Sequence, residues 1–312
     1  MFSITGIHSS GQTEQNGDPL DFPLSASSCN RDFLEIPVSV HSGTGTAIMM
    51  LSGLGFRPPL AEWIRSRPSE IECLEITAEH FFDGGQEQLQ WLSEHYPLFI
   101  HGLGLSLGSP GTLDSETLRH FIQVVEQSDP MWISEHIAFT QTTEHDLGHL
   151  NPVRPTHSNL ITLADHARQL SDLCAKPLIL ENITSYLRLS GEMSEPEFLN
   201  TLCSQADCGL LLDVTNLFIN AQNHQFDPVE WLHQIEPAVI KQLHIVGYAQ
   251  RDGQFHDWHD APIQEDLWEL LEAVLEYAPV EACIIERDGG FPARNDLQKD
   301  LLRMKDIAHV YR

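Results

Sequence analysis

The sequence predicts an α/β chain folded as a (β/α)8, or TIM, barrel, and two observations carry that prediction. Short apolar or β-branched runs alternate with longer segments of helical period, and there are eight such runs. Eight strand-then-helix units over about 260 residues match the length and rhythm of this barrel. No repeat, coiled coil or low-complexity block competes with that reading.

The first two strands are expected at Ala47–Leu51 and Ile71–Ile76, and the third at Leu98–His101, ahead of an amphipathic helix over Ser115–Gln127. The fourth, Trp132–His136, leads to a helix at Asn159–Ala175, and the fifth, Leu178–Glu181, to one at Glu195–Cys203. Leu210–Asp213 and Val239–His244 are the sixth and seventh strands. A helix at Asp266–Tyr277 separates them from the eighth, Cys283–Glu286, and Asn295–Ala308 closes the chain as a helix. Ser115 before Glu116, Ser194 before Glu195 and Pro196, and Asp227 before Pro228 are helix-start signals. Residues 1–44 are polar and rich in Ser, Gly and Asn. They are expected to form a partly disordered extension, leaving 45–312 as a single catalytic barrel domain.

Charge and composition narrow the partners. Forty-five acidic residues against 17 basic ones give a formal net charge of −28. That charge repels a phosphate backbone, and no basic stripe is present, so no nucleic-acid partner is expected. No 18-residue apolar run suggests a membrane span, and the start lacks the basic-then-apolar pattern of a secretory signal, so the expected location is cytoplasmic. The six cysteines form no CxxC pair. They read as reduced thiols scattered through a core rather than a disulfide framework.

Consecutive expected strands end in His101, Glu135-His136, Glu181-Asn182, Asp213, His244 and Glu286. The C-terminal end of barrel strands is where such folds build their sites. Carboxylates at this density repel one another unless cations sit between them, so at least two ions are implied, with Glu181 or Glu286 able to bridge. Asp257 and His259, two residues apart in an extended loop, point the same way and can hold one ion together. An imidazole–carboxylate set without thiolate suits iron, zinc or manganese, and the residues alone do not choose among them. Glu135 and Asp288 are placed to orient ligands. Glu75 and Glu79 are read as holding substrate polar groups or pairing with Arg57.

The order Glu181, Asp213-x-x-Asn216, His244, Asp257-x-His259, Glu286 resembles the metal-ligand order of xylose-isomerase-like barrels, including the endonuclease IV type, where a His usually stands at the Asn216 position. Several segments resemble more closely the multinuclear non-haem iron-dependent oxygenases, the family of the methanobactin-biosynthesis oxidase. These are the Gly53-Leu54-Gly55-Phe56-Arg57 opening, Leu74–Glu79, His101–Gly108, Ser134-Glu135-His136, Glu181-Asn182-Ile183, Leu211–Asn216 and Glu286-Arg287-Asp288. The resemblance spans roughly residues 47 to 290.

It implies an enzyme that uses two or three iron ions of mixed ferrous and ferric state, with O2 as co-substrate and no organic cofactor. The substrate it implies is a ribosomally made precursor peptide, oxidised most often at a Cys and delivered by a separate leader-binding partner protein. By position, His101, His136 and Glu181 would serve one iron; Glu181, Asp213, His244 and Glu286 a second; and Asn216, Asp257 and His259 a third. Tyr248, where the family commonly has a second His, Trp258 and Asp260 around His259, and Asn151–Pro155 depart from the family pattern and bear on the substrate. Two other classes stand beside this reading. One is a zinc or manganese hydrolase or isomerase of the same barrel type, which needs no O2; the other is a non-catalytic metal- or partner-binding barrel, which needs no open coordination position.

Overall fold

A computed structural model describes residues 50–311, apart from 143–144 and 292–293. The expected 1–44 extension and most of the expected first strand (47–49) lie outside the described residues, as does Cys29.

In chain order the strands are β1 (Leu51–Gly55), β2 (Cys73–Thr77), β3 (Leu98–His101), β4 (Ile133–His136), β5 (Ala138–Gln141) and β6 (Asp146–Pro152). They continue with β7 (Leu178–Glu181), β8 (Gly209–Asp213), β9 (Ile240–Ile245), β10 (Gly247–Arg251), β11 (Gln254–Ala261) and β12 (Ala282–Ile285). Eight of them close a parallel barrel in the order β1-β2-β3-β4-β7-β8-β9-β12, with β12 returning to β1. The other four form two antiparallel hairpins, β5–β6 and β10–β11, each directly after a barrel strand. The fold is the TIM barrel the sequence predicts.

The first strand is shifted: β1 starts at Leu51, where the expected strand ended. The expected strand stops at Leu51 because the next residues, Ser-Gly-Leu-Gly, hold two glycines, which disfavour strand interiors. Here β1 crosses β2 too closely for a side chain. A Cβ on Gly53 would lie 2.3 Å from the Cys73 carbonyl oxygen.

The helices are α1 (Ala61–Arg65), α2 (Gln86–His95), α3 (Ser115–Ser128), α4 (His157–Cys174), α5 (Glu195–Ala206), α6 (Val214–His224), α7 (Pro228–Leu232), α8 (Glu265–Tyr277) and α9 (Arg294–Val310). Ser194 and Asp227 cap α5 and α7 as expected, each accepting from backbone N–H groups of the first turn. Asp114, rather than Ser115, caps α3, accepting from Thr117 N at 2.8 Å. The sequence reading missed α6 because residues 214–221 are all buried, leaving no polar face to mark a helical period.

Strand alternation sorts the side chains into two compartments. Leu74, Ile76, Ile100, Leu180, Leu210, Leu212, Leu243 and Ile285 belong to the apolar cluster shared with the helices. Their alternates point inside the barrel: Phe99 and His101, Trp132 and His136, Ile179 and Glu181, Leu211 and Asp213, Gln242 and His244, Ile284 and Glu286. Phe99 stacks on Trp132 at 4.3 Å, filling the lower interior, and the polar residue of each pair stands above it. The register levels them, with His101 opposite Ser134, His136 opposite Glu181 and Asp213 opposite His244. The five described cysteines are buried and free. No helix among the described residues is long and apolar enough to cross a membrane.

Candidate metal centre

Glu181, buried at the end of β7, is the centre of the site. Its Oε2 lies 3.3 Å from both His101 Nε2 and His136 Nε2, and its Oε1 lies 3.1 Å from His244 Nδ1. Glu286, one residue past β12, brings Oε2 to 3.1 Å from the same His244 nitrogen. Each imidazole is held from its far side. Ser134 Oγ is 2.8 Å from His101 Nδ1, Glu135 Oε1 is 3.3 Å from His136 Nδ1, and Glu75 Oε1 is 2.8 Å from His244 Nε2. His101 and His136 therefore present Nε2 to the centre, and His244 presents Nδ1.

The support continues downward. Gln242 Nε2 donates to Glu75, and Trp132 Nε1 donates to Gln242 Oε1 at 2.7 Å, linking His244 to the packed interior. Asn182 exchanges two hydrogen bonds with the Asp213 backbone, at 2.8 and 3.1 Å. Asp213 Oδ1 caps α6 by accepting from Asn216 N at 2.7 Å, leaving Oδ2 unengaged.

Among the described residues three sets of side chains converge closely enough to hold ions, with the potential ligand atoms of each set within 4.8 Å of one another. The sets are His101, His136 and Glu181; Glu181, Asp213, His244 and Glu286; and His259, Glu286 and Asp288. His101 Nε2, Glu181 Oε2, Asp213 Oδ2 and His259 Nδ1 are buried without a hydrogen-bond partner. Orphaned buried polar atoms are costly, and four of them within these converging sets fit bound cations. The imidazole and carboxylate donors suit a borderline divalent metal.

Electrostatics agree with that fit. Burial works to lower the His136 pKa, yet Glu181 and Glu135 outweigh it and raise it from 6.5 to about 9. Burial likewise opposes the charge on His244, but Glu75, Glu181 and Glu286 lift its pKa well above the usual imidazole range. Burial pushes the Asp213 carboxyl well up, and Glu181 and Asp257 push it further. In the absence of metal, protons take the places that cations would fill.

Residues 51–309 match the family model described as RiPP precursor modification enzyme MbnB/TglH/ChrH. The chain belongs to that family. A UPF0276 protein of Caulobacter vibrioides is 33% identical over 255 residues, covering 80% of this chain and 91% of the relative. A UPF0276 protein of Bordetella pertussis is 34% identical over 250 residues, covering 77% and 86%. Among solved structures, D-psicose 3-epimerase with D-tagatose from Clostridium cellulolyticum superposes with a TM-score of 0.56 at 10% identity, covering 84% of this chain and 98% of that one. Endonuclease IV from Thermus thermophilus gives 0.52 at 16%, covering 84% and 100%. At such identities the likeness is one of fold, a TIM barrel. The resemblance drawn from the motifs is thus a family relationship, to enzymes described as modifying RiPP precursors.

Within this MbnB/TglH/ChrH barrel the structure brings together His101, His136, Glu181, Asp213, His244 and Glu286, all buried. His259 joins them from β11, with Nδ1 3.7 Å from Glu286 and 3.3 Å from Asp288. Asp257 lies on the other side of that ring, 2.7 Å from Nε2. Both residues sit on a hairpin strand rather than in the extended loop expected from the sequence. Asn216 borders the same cleft, but its amide is engaged: Nδ2 donates to Asn182 O at 3.1 Å, and Oδ1 accepts from Thr184.

Two further residues take roles the sequence reading did not assign. Asp288 completes the outer set, and the same-side relation of Glu286 and Asp288, two residues apart past a strand end, was its signal. Glu75 braces His244 and does not pair with Arg57. Arg57 instead pairs with Glu286 at 2.9 Å and Asp288 at 2.6 Å, which ties the shared ligand to the outer one. Glu79 accepts from Leu103 N and Gly104 N, at 2.8 and 2.9 Å, and so fixes the loop after β3.

The cleft over these residues has a volume of about 320 Å³. A larger cavity of about 490 Å³ lies beside it and shares Ile183, but none of the candidate ligands lines it. The chemistry therefore belongs to the smaller cleft.

Proposed function

We propose that this chain is a multinuclear non-haem iron enzyme that uses O2 to modify a residue, a Cys by preference, in a ribosomally made precursor peptide. The carrying observation is the geometry of Glu181, a buried carboxylate whose two oxygens face different imidazoles within 3.3 Å, a suitable bridge between two ions. In this reading His101, His136 and Glu181 serve one iron, and Glu181, Asp213, His244 and Glu286 serve a second. A third position is bounded by His259, Glu286 and Asp288, with Asp257 and Asn216 at its edge. Bound iron supplies electrons for O2 reduction and the charge that acidifies a substrate thiol.

The chain's own residues do the positioning. Glu75, Ser134 and Glu135 fix the imidazole rings, and Arg57 restrains Glu286 and Asp288 so that both carboxylates keep their outward oxygens in place. A cleft of about 320 Å³ admits a side chain rather than a folded protein. A separate protein is therefore proposed to present the precursor, with the acidic surface steering its basic patch. Free buried cysteines support a reducing, cytoplasmic setting.

The test is anaerobic iron loading followed by elemental analysis and turnover of a Cys-containing precursor. About two to three iron ions per chain are expected, with conversion that needs O2, iron and the presenting protein together. Turnover supported by stoichiometric zinc, or under strict anaerobiosis, would move the chain to the hydrolase or isomerase class. Full-rate conversion by the isolated chain would remove the presenting partner.

A further inference from the structure

Nine large apolar side chains are exposed among the described residues, and three of them, Leu103, Tyr186 and Trp258, line the cleft above the candidate ligands. Apolar exposure clustered over an acidic cleft marks a contact surface rather than scatter. Tyr186 and Trp258 arrive from different elements and are joined through His256. Tyr186 Oη is 3.1 Å from His256 Nδ1, and the His256 ring stacks on Trp258 at 5.2 Å with an interplanar angle of 22°. Trp258 also sits between Asp257 and His259 on β11, so the ledge is fixed relative to the site floor.

The lining also says what the ledge rejects. The floor carries Glu181, Asp257, Glu286 and Asp288, and no Lys or Arg is among the described residues that line the cleft. At the ledge itself Tyr186, His256 and Trp258 offer ring faces and the lining supplies no Lys or Arg, so a charged flanking side chain would leave water there without an ionic partner. An uncharged side chain with a large apolar face, carried on a peptide whose backbone is neutral, meets no such penalty. Consecutive Cα atoms are about 3.8 Å apart, so a peptide residue seated over Glu181 and Glu286 holds its neighbour within reach of the ledge.

We propose that Tyr186 and Trp258, bridged by His256, form the subsite for the residue beside the one modified, and that it takes an aromatic or large aliphatic side chain. This rests on the precursor-peptide reading and adds a sequence preference to it.

The experiment is calorimetric titration, without O2, of the iron(II)-loaded protein with blocked pentapeptides. Each carries one Cys flanked by Phe, Ala or Asp, with the flank placed before the Cys in one series and after it in the other. In at least one series the Phe peptide should bind about tenfold tighter than the Asp peptide, with Ala between, the size expected for burying one aromatic ring. The Tyr186→Ala/Trp258→Ala double variant should reduce that spread to about twofold with iron content unchanged. Leu302→Ala, an exposed apolar position on α9 outside the cleft, should keep the full spread. Equal binding of Phe and Asp peptides, no binding of any peptide, or a preference that survives in the double variant would overturn the subsite. Protein that takes up no iron refutes the iron reading instead, and the same titration on metal-free protein still reads the ledge.

Discussion

The inner and outer parts of the candidate centre are built in different ways. His101, His136, Glu181, Asp213 and His244 stand on parallel barrel strands, buried, with the far nitrogen of each imidazole held by a neighbour. His259 and Asp257 come from a hairpin and Asp288 from a loop. His259 adopts a left-handed backbone, φ 51°, held by bonds from Asp288 N and Gly289 N to its carbonyl, and the Asp288 side chain is half exposed. Barrel register fixes the inner set before any ligand arrives. The outer set depends on a strained residue, and such strain concentrates at functional sites. The difference teaches that one centre can join a part fixed by barrel register to a part fixed by a hairpin and a loop outside the barrel.

The contrast should break most visibly at His244. Its replacement by Ala is expected to abolish turnover and remove at least one ion while circular dichroism still reports a folded barrel, because the inner set has no substitute for this ligand. Retention of both metal and turnover would show that the inner set is not the centre. Glu75→Gln should weaken inner metal affinity by about 10- to 100-fold and leave the outer position unchanged, as read by competitive metal titration. An affinity within about twofold of the parent would mean that Glu75 merely fills space.

Acid–base behaviour sharpens the same comparison. The folded-state pKa of His136 is raised from 6.5 to about 9, so its protonated form stabilises metal-free protein below 6.5 and that contribution is lost as pH rises towards 9. Asp213, also raised, acts in the same direction from lower pH. Thermal melts of metal-free protein should therefore fall across that window, whereas metal-loaded protein, with cations in place of protons, should not. Parallel profiles for the two forms would contradict an inner set that exchanges protons for metal. Asp288→Asn should have the smallest effect, lowering occupancy of the outer position alone, since its half-exposed carboxylate belongs to that set and to neither inner one. Loss of inner ions in that variant would erase the distinction between the two parts.

The inner set was legible because strand alternation and strand ends are written in the sequence: an apolar run that closes on His101, His136, Glu181, Asp213 or His244 places that residue at the barrel mouth. Other features depend on distant partners. Glu75 meets His244 across 169 positions of chain, so nothing local distinguishes it from a carboxylate that pairs with Arg57. The direction of the loop after β12, which brings Asp288 to His259, is set by Arg57 and the β11 backbone rather than by periodicity. The expected first strand stops at Leu51, short of most of β1, because the closeness that requires Gly53 also removes the side chains that announce a strand.

Glu181 as a shared ligand is the central claim, and metal counting in Glu181→Ala tests it most directly. After anaerobic iron loading, the parent should hold both inner ions and the variant should lose both together, since each inner set contains this residue. Iron content equal to the parent, or loss of a single ion with the other retained at full affinity, would contradict a carboxylate that joins the two positions.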